Sequence, residues 1–131
     1  MLVVDASALV AYLTEGEHVE QVRAQLLAPG QALWAPHLVD AEVGHVLRRE
    51  TLTGELAPTA ARAALEDLSD LPLRRASHRG LLGRAWALRE NLTFYDALYV
   101  ALAERLRATL LTLDGRLAGA PGVKASVLHV G

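Results

Sequence analysis

Apolar residues recur along this chain in two rhythms, a short continuous run and a helical spacing, and the two alternate from end to end. Leu2-Val3-Val4 is an apolar run that stops at Asp5, and it predicts a buried strand. Ser7 offers a helix N-cap ahead of the apolar stretch 8–13. A second helix is expected over about 18–27, closed by Pro29-Gly30, and residues 32–35 read as a second strand stopped by Pro36. Leu38, Val39, Val43, Val46 and Leu47 then recur at helical spacing over 38–50. Residues 58–68 repeat that pattern with Pro58 at the helix start, where a missing N–H costs nothing. A strand over 71–76, helices over 78–89 and 94–107, a strand over 109–113 and a last strand over 125–130 complete the series.

Strands alternating with helices imply parallel crossovers. The expected fold is one α/β domain spanning 1–131, with a central, mostly parallel sheet of about five strands flanked by helices. In such open sheets, ligands bind beyond the carboxyl ends of the strands. Asp5 and Asp114 follow two of those strands and belong to that edge. Asp96 falls in the first turn of the helix leading into the 109–113 strand, where N–H groups and the helix dipole favour an anion. Glu42 lies near the start of the helix after the second strand, on the same edge. Four carboxylates, separated by 37, 54 and 18 residues, are thus directed toward one cleft.

Crowded carboxylates raise one another's pKa. A hard divalent cation such as Mg²⁺ or Mn²⁺ relieves that conflict, because it prefers oxygen ligands and keeps several waters. It also activates water and stabilises charge on phosphate and leaving oxygens. Taken singly, each acid has a plainer account: Asp5 as a helix entry, Asp96 as a helix N-terminal charge, Asp114-Gly115 as a turn.

Composition narrows the field. The 131 residues are 52% hydrophobic, enough for a core, and contain no cysteine. Disulfides, zinc knuckles and thiol nucleophiles are therefore excluded, which suits a reducing cytosol. Met1-Leu2-Val3-Val4-Asp5 lacks a basic segment and does not read as a signal peptide. No apolar run approaches the roughly 20 residues that span a bilayer, so a soluble cytoplasmic protein is expected. The formal charge of −2 argues against a nucleic-acid partner until the four acids are set aside, leaving 11 acids against 13 bases. Twelve of those bases are Arg, which forks onto phosphate oxygens. No glycine-rich loop follows a strand, so a nucleotide-binding fold is not indicated.

The segments Val3-Val4-Asp5-Ala6-Ser7-Ala8-Leu9, Glu42 to Arg49, Tyr95-Asp96-Ala97-Leu98-Tyr99-Val100-Ala101-Leu102-Ala103 and Leu110-Leu111-Thr112-Leu113-Asp114 resemble the PIN domain in order and spacing. The likeness extends to the VapC-type toxins of toxin–antitoxin pairs and runs from Met1 to about Val130. It implies a Mg²⁺- or Mn²⁺-dependent endoribonuclease in which Asp5, Glu42, Asp96 and Asp114 bind metal and cut single-stranded RNA. It also implies an antitoxin partner occupying the cleft, and a homodimer. Ser7 and Thr112 match hydroxyl positions of the pattern, where they would hold a carboxylate, a water or a phosphate; otherwise they are an N-cap and a strand residue. His45 stands where the family often has Asn, three residues after Glu42 and on its helix face, as a partner for Glu42 or phosphate or as a polar cleft residue. Asp40, two residues before Glu42, points elsewhere. Arg49 and Arg116 are candidates for steering phosphate, and Tyr95, Tyr99, Trp34 and Trp86 for stacking on bases or for packing.

Two rivals remain. A phospho-acceptor receiver domain would want an acidic pair after the first strand and a Lys after the last, whereas Asp5 has no acidic neighbour and the one Lys is Lys124. A non-catalytic PIN-like module that binds protein would keep the acids without the chemistry.

Overall fold

The computed structural model describes all of residues 1–131. Its strands are β1 (Leu2–Val4), β2 (Leu33–Pro36), β3 (Leu73–Ala76), β4 (Thr109–Thr112) and β5 (Val127–His129). They form one five-stranded sheet in the order β3-β2-β1-β4-β5, with every pairing parallel. The expected sheet was mostly parallel; it is wholly so. A strand covered on both faces needs no polar alternation, which is why Leu2, Val3, Val4, Leu110 and Leu111 are all buried.

The helices are α1 (Ala6–Thr14), α2 (Val19–Leu26), α3 (Leu38–Leu52), α4 (Pro58–Asp70), α5 (Leu82–Ala87), α6 (Phe94–Leu106) and α7 (Gly115–Gly119), with a 3-10 turn at Arg79–Leu81. Strands 1 to 3 march outward in one direction from β1, and strands 4 and 5 in the other. The reversal lies between β1 and β4, and the chains leaving those strands diverge there to open a crevice at the carboxyl edge. Helix α6 packs against β1 and β2 on one side and α5 on the other. Its seven successive residues Ala97–Ala103 are all buried, so it is apolar all round instead of amphipathic.

The differences from the sequence reading are local. Pro36 closes β2 from within, paired beside Ala76 but beyond the Leu33 and Trp34 pairing with β1, at the strand's end where one missing donor is tolerated. The 78–89 helix is broken into the 3-10 turn and the short α5, and the His78 ring turns back to accept the Leu38 amide at the start of α3. The last strand is shorter than 125–130, and Asp114 is followed by α7, a short helix for which no element was expected. No helix is long and apolar enough to cross a membrane.

The central strands set the crevice, so a cavity beneath them should be felt there. Leu111→Ala, at a fully buried position of β4, is expected to lower stability by about 2–5 kcal/mol, read from denaturant unfolding midpoints.

Candidate active site

Asp5 leaves β1 directly into α1, and its side chain is the N-cap of that helix: Oδ1 accepts the Ala8 amide at 3.0 Å. The expectation that Ser7 caps α1 is therefore corrected. Ser7 sits inside the first turn, because Asp5 already supplies the oxygen that the free amides require. The Ser7 hydroxyl instead donates to Asp5 Oδ1 at 2.6 Å and accepts the Leu113 amide at 3.0 Å. Across the crevice, the Thr112 hydroxyl donates to Asp5 Oδ2 and accepts the Asp114 amide at 2.9 Å. Two parallel relays thus run from the exit of β4, through hydroxyls, to the two oxygens of one carboxylate. Asp5 is 6% exposed and Thr112 fully buried.

The other acids arrive from three further segments. Glu42, on the first turns of α3, accepts the Tyr99 hydroxyl of α6 at 2.5 Å. Asp96 lies in the first turn of α6, whose N-cap Thr93 accepts the Asp96 amide at 3.1 Å. Asp114 caps α7 by accepting the Arg116 amide and is also gripped by the Arg116 guanidinium, at 2.7–3.2 Å. Asp40, as expected, faces away, forking with Arg75 at 2.8 and 3.1 Å.

Burial pushes the Asp5 carboxyl above its usual range, against the lowering pull of Ser7, Thr112 and Ala8, and Asp96 adds repulsion. Glu42 and Asp96 rise for the same first reason, desolvation, with Asp96 acting on Glu42 and Asp114 acting on Asp96. Tyr99 is driven far above the phenol range by burial, by its bond to Glu42 and by the nearby carboxylates, so its hydroxyl stays a donor. Asp114 goes the other way, held low first by its hydrogen bonds to Arg116. Asp5, Glu42, Asp96 and Asp114 therefore share one field of negative charge, of which only Asp114 has a neutralising partner. All donors are hard oxygens, though no three His, Asp or Glu side chains stand within direct reach of one common ion.

His45 and Arg49 are exposed, and the hydrogen bond to Glu42 comes from Tyr99. Tyr99, expected either to stack on bases or to pack, is a core residue, and its hydroxyl bond to Glu42 was not expected; its position three residues after Asp96, on the same helix face, was the available signal. Trp34 is half-buried on β2, with the Arg74 guanidinium 5.5 Å from its ring centre. Tyr95 and Trp86 are exposed.

The raised groups carry a pH signature. A carboxyl with a raised folded-state pKa binds its proton more tightly when folded, so its contribution is greatest in acid and is lost as pH rises through that pKa. The protein without added metal should gain thermal stability on acidification from neutrality toward the ordinary values of 3.8 and 4.5. Below that window the lowered Asp114 works in the opposite sense. Asp96→Asn should raise the melting midpoint at pH 7 and flatten this rise; a lower midpoint at pH 7 would contradict the crowding of these acids.

Comparisons with known proteins agree with this geometry. The family model described as PIN domain matches residues 2–123. Ribonuclease VapC1 of Mycobacterium tuberculosis is 48% identical over 126 residues, covering 95% of this chain and 94% of that protein. The crystal structure of PAE2754 from Pyrobaculum aerophilum superposes with a TM-score of 0.70 at 26% identity, over 96% of this chain and 81% of that one. A toxin–antitoxin complex from Klebsiella pneumoniae contains a chain that superposes at 0.65 with 22% identity, over 98% of this chain and 96% of that one. The all-parallel sheet, the carboxylates at its switch point and a close match along nearly the whole length lead to one assignment: the chain belongs to the PIN-domain family, among the VapC ribonucleases.

Proposed function

We propose that this protein is the endoribonuclease toxin of a toxin–antitoxin pair, hydrolysing RNA phosphodiester bonds in the cytoplasm with Mg²⁺ or Mn²⁺. The observation that carries the reading is the group of mutually repelling carboxylates, buried at Asp5 and half-buried at Glu42 and Asp96, in which Asp5 has hydroxyl and amide support and lacks a cationic partner. An all-oxygen donor set of this kind suits a hard divalent ion, and Mg²⁺ retains waters that bridge carboxylates too far apart to ligate it together. The name of the 48% identical relative, a ribonuclease, supports the same chemistry.

Asp5 and Asp96 are the direct metal-holding groups in this reading, with Glu42 acting directly or through water and Asp114 completing the acidic wall. When bound, the ion supplies Lewis acidity toward water and a phosphate oxygen. The chain's own contribution is positional. Ser7 and Thr112 fix the two oxygens of Asp5 and, with the Ala8 amide, leave only Oδ2 with an acceptor site to spare. Tyr99 orients Glu42 and stays protonated as it does so. Arg116 neutralises Asp114 while keeping most of its guanidinium in solvent, at the entrance a phosphate would use. Attack by water gives a 5′-phosphate and a 3′-hydroxyl.

The Klebsiella pneumoniae complex supports an antitoxin as the partner of this chain; in this reading the antitoxin covers the crevice and the toxin forms a homodimer. His45 and Arg49 lie exposed on the α3 face that bears Glu42, positions suited to the rim of that crevice.

Incubation of the purified protein with single-stranded RNA should give cleavage in Mg²⁺ or Mn²⁺ and none in excess chelator. Asp5→Asn is expected to abolish it. Thr112→Val, which removes one of the two relays, should cost on the order of 10–100-fold. Product ends carrying 2′,3′-cyclic phosphate, or undiminished activity of folded Asp5→Asn, would overturn the mechanism.

A further inference from the structure

Beside the acidic cluster lies a cavity of about 430 Å³ whose wall runs from Arg89 through Asn91 and Thr93 to Asp96 and Arg116. It opens directly onto the acids, since Asp96 belongs to both, and the α5–α6 connection forms its floor. Arg89 is not a loose surface charge. Its Nη1 donates to the Trp86 carbonyl at 3.1 Å, and its guanidinium lies 4.8 Å from the centre of the Trp86 ring. Trp86 itself is 61% exposed, an unusual place for an indole with no packing role in the core. Arg89, which lines the cavity, is thus held over the ring of Trp86 behind it. The floor is held as well, because the Asn91 amide nitrogen donates to the Pro121 carbonyl at 3.0 Å, which leaves the amide oxygen as a free acceptor.

We propose that this cavity is a nucleotide subsite for the RNA strand: a base stacks on Arg89 backed by Trp86, and the neighbouring phosphate meets Arg116 on its way to the acids. The proposal rests on the ribonuclease reading above and extends it to where the flanking nucleotide sits. A guanidinium plane held over an indole is a surface that any base can stack on, and holding it in advance lowers the ordering cost of binding. Arg116 holds Asp114 through Nε and Nη2 and leaves its exposed Nη1 for the phosphate. Glu90, also on the wall, disfavours a second phosphate there and leaves the cavity suited to a base with one phosphate at its inner end. A cavity of this size matches a single nucleotide better than a helix of a partner protein, which needs an extended groove.

The test uses a short, unstructured single-stranded RNA and the full chain in chelator, so that binding is read without cleavage. Trp86→Ala and Arg89→Ala should each weaken binding by about 5- to 100-fold, and Trp86→Phe, which keeps an aromatic face, should recover most of it. In Mg²⁺ the same variants should raise KM more than they lower kcat and shift the preferred cut position. Circular dichroism melting checks the fold, and Arg89→Gln provides a second route if Trp86→Ala fails to fold. Wild-type RNA affinity in Trp86→Ala and Arg89→Ala overturns the subsite, as does a loss confined to self-association or to a protein partner. Failure of the unaltered protein to cut RNA, with the binding losses intact, counts against the ribonuclease reading and leaves the subsite supported.

Discussion

A carboxylate buried at the point where two parallel strands part has to be held on both oxygens, and that constraint organises this protein. Asp5 closes the first turn of α1 and receives hydroxyls from Ser7 and Thr112. Those hydroxyls are themselves occupied by the Leu113 and Asp114 amides, which leave β4 without ladder partners. An isolated buried anion would cost several kcal/mol. Here the support comes from groups that the fold must satisfy anyway: free helix amides on one side and the exit of a strand on the other. The bonds that tie β1 to β4 at the crevice are the same bonds that orient the acid.

That arrangement leaves charge uncompensated by design of the surroundings. Hydroxyls and amides lower the Asp5 pKa, yet burial outweighs them, and no Arg or Lys reaches the Asp5, Glu42 or Asp96 carboxylates by a salt bridge. The chain places its arginines elsewhere, on Asp40, Glu104 and Asp114. A protein that sought stability alone would pair these acids with its abundant guanidinium groups. Leaving three of them unpaired in one field forgoes stability, a pattern expected of functional sites.

Much of this was legible in the chain because the informative signals are local. Short apolar strands ending in Asp5 and near Asp114 place two acids on one edge once the sheet is known to be parallel. Helical spacing then places Glu42 and Asp96 at the starts of α3 and α6. What was not legible depends on contacts between distant residues. Ser7 looked like a cap because local sequence shows a hydroxyl before an apolar run, and only the geometry shows that Asp5 has taken that role. The bond from Tyr99 to Glu42 spans 57 positions, and the broken helix before α6 depends on how His78 turns back to α3. Arg116 was a candidate for phosphate; its engagement with Asp114, only two residues away, is a local contact that the reading passed over.

Arg116 separates Asp114 from the other acids. Asp5, Glu42 and Asp96 are raised by burial and repulsion, whereas Asp114 is lowered by a cation two residues away on an exposed turn. Its charge is already balanced within the chain. The same guanidinium also acts on Asp96, so the pair damps the repulsion at the mouth of the crevice without entering its buried end. The site is therefore graded along its depth. Its inner end, at Asp5, is buried and hydrogen-bonded on both oxygens, and its outer end, at Asp114 and Arg116, is more exposed and already paired.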